Sequence, residues 1–135
     1  RDPVEAVASY CSMMETFATS QGCSTQPNLG HAVLEVCATA LERGLSVRDR
    51  EDPRRFFDFR FDDFVADSMG AVAQLYDHFE LPLSSEAEQA MSDHVRENPR
   101  GQHGSHDYDL SSYGLTAEQV RERMQWYIDR FELNA

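Results

Sequence analysis

The chain has 135 residues, enough for one domain with a real core and short for two. Its formal charge is −12, from 24 acidic and 12 basic residues, and all 12 basic residues are Arg. Such acidity argues against nucleic acid or an anionic membrane as a partner, because either is repelled at long range, yet a few Arg side chains can still form a local pocket for a small anion.

Any chemistry that needs an ammonium against a transferring group must find it outside this chain, which has no Lys. No run of 18 apolar residues occurs, so no membrane-spanning helix is expected. Cys11, Cys23 and Cys37 are odd in number and form no C-x-x-C pair, which points to a reducing, cytoplasmic compartment.

The first helix is expected over Val4 to Thr19, with Asp2 as N-cap, Pro3 at the first position and Glu5 completing a D-x-x-E box. Val7, Ala8, Cys11 and Met14 recur at helical spacing, while Glu5, Ser9, Ser12 and Thr16 fall opposite. Arg1 stands just before this helix and Ser9 two turns inside it. A guanidinium fork and a hydroxyl so placed can grip a phosphate from two sides, with help from the helix N-terminus. The plain alternatives are a solvated serine and a frayed terminal arginine. With no strand ahead of Arg1, the chain reads as the C-terminal part of a larger enzyme.

Gln21 to Asn28 reads as a loop, and a second helix follows from about Leu29 to Arg43 with Gly44 in the stop position. Leu45 to Arg55 is a charged connector. From Phe56 to Phe61 the period changes to two, with Phe57, Phe59 and Phe61 on one side and Asp58 and Arg60 on the other. That pattern predicts one clear strand. A strand cannot satisfy its own backbone groups, so it implies a sheet completed by residues outside the chain.

Asp62 to Ala66 leads into a third helix, about Asp67 to Phe79, capped by Asp67. Leu81, Pro82 and Leu83 break it, and Ser84 or Ser85 caps a fourth helix that runs to about Glu97. Asn98 to Tyr113 is irregular. Gly101 and Gly104 beside Arg100 form a candidate anion nest there, the alternative being an ordinary surface loop. His103 and His106 lack the spacing of a metal site, and no metal is expected. Asp62 and Asp63 are read as capping a turn or holding an Arg rather than as an acid–base pair. Thr116 caps the last helix with Gln119 as its box partner, and Val120, Met124, Tyr127, Ile128 and Phe131 form its apolar seam.

Four segments in order carry a resemblance: Arg1-Asp2-Pro3 with Ser9; the Phe-rich segment closing in Phe61 to Asp67; Tyr76 to Leu83; and Asn98 to Tyr108. Together they resemble the C-terminal half of bacterial sulfotransferases over essentially all 135 residues. The resemblance implies an α/β fold, with residues 1–135 the C-terminal portion of one P-loop-like, parallel-sheet sulfotransferase domain, mostly helical here. It implies transfer of a sulfuryl group from 3′-phosphoadenosine 5′-phosphosulfate (PAPS) to the hydroxyl or amine of a small-molecule, lipid or saccharide acceptor. Arg1 and Ser9 then bind the donor's 3′-phosphate, with Arg100, Gly101 and Gly104 from the late loop. Phe61 stands where many relatives place a tyrosine by the adenine, so stacking is kept and the phenol hydrogen bond lost. The family's glycine-rich loop and usual base lie upstream of the Arg-Asp-Pro segment, so no catalytic residue is expected in this chain and the isolated segment is expected to be inactive. The competing reading is a non-catalytic helical module that docks a partner through its acidic surface and apolar faces.

Overall fold

A computed structural model of the chain describes residues 1–24, 27–99 and 109–133. Among them are six α-helices: α1 Pro3–Ser20, α2 Leu29–Arg48, α3 Phe61–Ala66, α4 Ser68–His78, α5 Ser85–Glu97 and α6 Ala117–Arg130. Single 3-10 turns lie at Pro53–Arg55 and Leu110–Tyr113. The chain divides into two compact units, Arg1–Val47 with Asp107–Ala135, and Arg48–His106.

The first unit is built on α1, α2 and α6. Asp2 Oδ1 accepts the Val4 N–H at 2.8 Å, and Pro3 opens α1 where its missing N–H costs nothing. Thr116 and Gln119 form both halves of a capping box at α6: the Gln119 N–H donates to Thr116 Oγ1 at 3.2 Å, and the Thr116 N–H to Gln119 Oε1 at 2.9 Å. The helices bury their stripes together, with Val7, Ala8 and Cys11 of α1, Val33, Leu34 and Ala38 of α2, and Val120 and Met124 of α6 in one core. Leu110, Tyr113 and Leu115 close it. Gly30 lets α2 approach that last segment: a Cβ there would lie 2.5 Å from the Tyr113 carbonyl oxygen and 2.8 Å from Leu115 Cγ.

Polar contacts tie distant parts of this unit. The buried Tyr113 donates its hydroxyl to Glu15 Oε2 at 2.9 Å. Burial and then this carboxylate push the phenol above its usual pKa. Arg123 reaches from α6 to two carboxylates of α2, with Nε 2.9 Å from Glu35 Oε1 and Nη1 2.8 Å from Glu42 Oε1. α2 does not stop at Gly44 but continues to Arg48, so the expected C-terminus is one turn short. A Cβ at Gly44 would meet nothing within 4 Å, so this glycine marks neither a turn nor a close approach.

The second unit corrects the fold class. The described residues contain no strand, so the α/β expectation with one clear strand at Phe56 to Phe61 does not hold; the described fold is helical. The backbone is extended at Phe56 (φ −126°, ψ 142°) and Arg60 (φ −75°, ψ 126°), but Phe61 already begins α3. Period two does report alternation: the Phe57 and Phe59 rings meet at 5.1 Å while Asp58 turns to Arg48. What it does not report is a ladder partner, and without one an extended run is not a strand. Side-chain packing holds the segment instead, through Phe59 on Phe64 at 5.5 Å and Phe57 on His78 at 5.2 Å. Asp67 caps α4 through the Gly70 N–H at 2.8 Å, and Ser84 caps α5 through the Ala87 N–H at 3.2 Å. Ala71 is the only buried residue among those described in this unit, so its core is thin.

Candidate functional site

The first candidate group sits at the start of α1. Arg1 lies ahead of the cap and Ser9 is half-buried within the helix. Glu5 and Ser9 are four apart within α1 and share one face, whereas Arg1 precedes the non-helical cap residue Asp2 and stands outside the helix. Glu5 Oε2 lies 3.5 Å from Arg1 Nε. The two carboxylates at this end are thus both engaged, Asp2 in the backbone cap and Glu5 with the guanidinium. The helix N-terminus already carries its own anion in Asp2. The group that suits an anion here is therefore the Arg1 fork rather than the helix end.

Phe61 belongs to the second unit, half-buried at the first position of α3. Nearby, Phe57, Phe59 and Phe64 with Asp58, Arg60 and Asp63 line most of a cleft of about 300 Å³. Arg48 donates to both Asp58 oxygens at 2.6 Å and lies 4.9 Å from the centre of the Phe56 ring. The bidentate Asp58 carboxylate raises the Arg48 pKa further, so this pair stays ionised. Asp63, in the first turn of α3, lies 3.8 Å from Arg60. The aromatic wall suits a planar ring, and the carboxylates disfavour an anion.

Arg100, Gly101 and Gly104 lie outside the described residues, as do His103 and His106. Among the described residues no group of His, Cys, Asp and Glu side chains could hold a metal, and no helix is long and apolar enough to cross a membrane. Two features escaped the sequence reading. One is Glu5 as the partner of Arg1, for which i, i+4 spacing was the available signal. The other is the cleft wall of Phe57, Phe59 and Phe64, hidden because a strand reading assigned Phe57 and Phe59 to a sheet face and left Phe64 in the lead-in to the next helix.

Comparison with known proteins places these features in a family. Residues 1–85 match the model of the sulfotransferase family. Two curated relatives, each named omega-hydroxy-beta-dihydromenaquinone-9 sulfotransferase Stf3, from Mycobacterium bovis and Mycobacterium tuberculosis, are 34% identical over an alignment that covers 62% of this chain and 21% of theirs. The crystal structure of sulfotransferase STF9 from Mycobacterium avium superposes with a TM-score of 0.85 at 25% identity, covering 99% of this chain and 35% of that one. Sulfotransferase STF1 from Mycobacterium tuberculosis gives a TM-score of 0.73 at 36% identity, covering 91% and 31%. The chain thus spans about a fifth of the length of the curated relatives and about a third of the solved structures. The match over residues 1–85 takes in more than half of the chain, and the chain belongs to the sulfotransferase family.

Proposed function

We propose that this chain serves PAPS-dependent sulfuryl transfer to an acceptor hydroxyl or amine, and that its own part is to hold the 3′-phosphate end of the donor. The observation that carries this reading is the sulfotransferase match over residues 1–85, which takes in both Arg1 and Ser9. The donor set fits the group: a guanidinium gives two parallel N–H donors and full charge, and a serine hydroxyl adds one more. Arg1 binds and orients the phosphate, Ser9 fixes it from the helix side, and Phe61 offers a ring to the base. Arg100, Gly101 and Gly104 are assigned to the same phosphate. None of these groups touches the reacting sulfur. They supply binding energy remote from the reaction, which the enzyme uses to orient the donor. The isolated chain is accordingly expected to lack transferase activity, and its three free thiols support a cytoplasmic setting.

The curated relatives are named for an acceptor that carries an omega-hydroxyl, and a hydroxyl-bearing lipid is the acceptor class this favours. The test of the donor site is a calorimetric titration of the full-length protein with adenosine 3′,5′-bisphosphate. Arg1→Ala is expected to cost roughly 1.5–3 kcal/mol, as for loss of a charge-assisted hydrogen bond. Unchanged affinity would remove Arg1 from the site.

A further inference from the structure

We propose that Glu5 is a positioning residue that sets how tightly Arg1 engages the donor phosphate, by holding the guanidinium until the phosphate displaces it. This rests on the reading of Arg1 and Ser9 as the 3′-phosphate site. The geometry is an ion pair at the start of α1: Arg1, ahead of the cap, meets Glu5 of the first turn at 3.5 Å, and Ser9 lies one turn beyond Glu5 in the helix. A phosphate that takes the Arg1 fork meets a second anion there, the Glu5 carboxylate at Nε. The two negative groups repel one another at this exposed guanidinium, and the more highly charged phosphate favours release of Glu5.

Asp2 does not do the same. Its carboxylate is fixed on the Val4 N–H at 2.8 Å, and moving it would uncap α1. Glu5 lies against Arg1 rather than closing the expected D-x-x-E box, and its side chain is 61% exposed, so it can swing into water when released. An exposed i, i+4 pair is weak, so the exchange is easily driven by a doubly charged phosphate but still reduces its affinity. The competition also makes the site selective. A ligand with a single negative charge gains little over the Glu5 carboxylate that it replaces, whereas a phosphate monoester gains both charge and a second acceptor oxygen.

The test is calorimetry of the full-length protein with adenosine 3′,5′-bisphosphate on wild type, Glu5→Gln, Arg1→Ala and the double variant. The expected result is an affinity gain of about two- to five-fold for Glu5→Gln, with no gain when the same change is made on Arg1→Ala. Unchanged or weaker binding in Glu5→Gln, alongside a clear loss in Arg1→Ala, overturns this inference and leaves the phosphate site standing. A gain that persists on the Arg1→Ala background also overturns it, because Glu5 then acts through bulk repulsion rather than through Arg1. No effect of Arg1→Ala on wild type removes the site itself. Glu5→Asp, which keeps the charge and shortens the reach by one methylene, is expected to fall between wild type and Glu5→Gln.

Discussion

Gly30 and Gly44 lie on one helix, and alanine is expected to act with opposite sign at the two positions. Intrinsic propensity favours alanine by about 1 kcal/mol in a helix interior. At Gly44 the added methyl meets nothing within 4 Å and the residue stands a full turn before the end of α2, so most of this gain is kept. Gly44→Ala should stabilise the protein by about 0.5–1 kcal/mol. At Gly30, the second residue of α2, the propensity gain is smaller and the methyl enters occupied space. Its nearest neighbour is the Tyr113 carbonyl oxygen at 2.5 Å, a backbone atom that cannot rotate away, with Leu115 Cγ at 2.8 Å and Cδ1 at 2.9 Å behind it. Overpacking of this kind costs about 1–3 kcal/mol, which exceeds the gain. Equilibrium urea unfolding followed by far-ultraviolet circular dichroism separates the two, with a higher midpoint for Gly44→Ala and a lower one for Gly30→Ala at unchanged slope. A stabilising Gly30→Ala would refute the close approach of α2 to the 110–115 segment. A destabilising Gly44→Ala would refute the continuation of α2 beyond residue 44.

Thr116→Ala removes one half of the α6 capping box and should cost about 1 kcal/mol in the same assay, with Thr116→Ser close to wild type. Arg123→Met breaks the fork to Glu35 and Glu42; both carboxylates are well exposed, so the loss should be about 1 kcal/mol and should shrink as salt is raised from 0.05 to 1 M. Burial, followed by the neighbouring Cys37, pushes the Cys11 thiol from 9.0 up to about 11, and burial also raises Cys37. The neutral thiols are favoured in the folded state, so the Cys11 contribution to stability is full below pH 9 and is lost as pH climbs from 9 through about 11, and that of Cys37 is likewise lost on the alkaline side. At pH 8 a thiol reagent should modify the exposed Cys23 well before the other two, and mass spectrometry of a tryptic digest would show an error if Cys11 reacted first.

Much of the helical plan was legible in the residues because a cap is a local event. Asp2, Asp67, Ser84 and Thr116 each bond a backbone N–H two or three positions ahead, so spacing alone locates the start of α1, α4, α5 and α6. The apolar stripes of α1 and α6 followed for a similar reason, since helical period decides which residues share a face. The order of four segments was enough to indicate the family. Phe56 to Phe61 marks the boundary of what pattern can decide. Alternation determines which side each ring takes, but a strand exists only if another backbone supplies its hydrogen bonds, and no local rule contains that partner. The end of α2 is of the same kind, because a glycine permits a stop without compelling one. Contacts such as Tyr113 with Glu15 and Arg123 with Glu35 join residues 98 and 88 positions apart. Only the folded chain brings such groups together, since burial of the core stripes, not any propensity of the residues themselves, sets the distance between them.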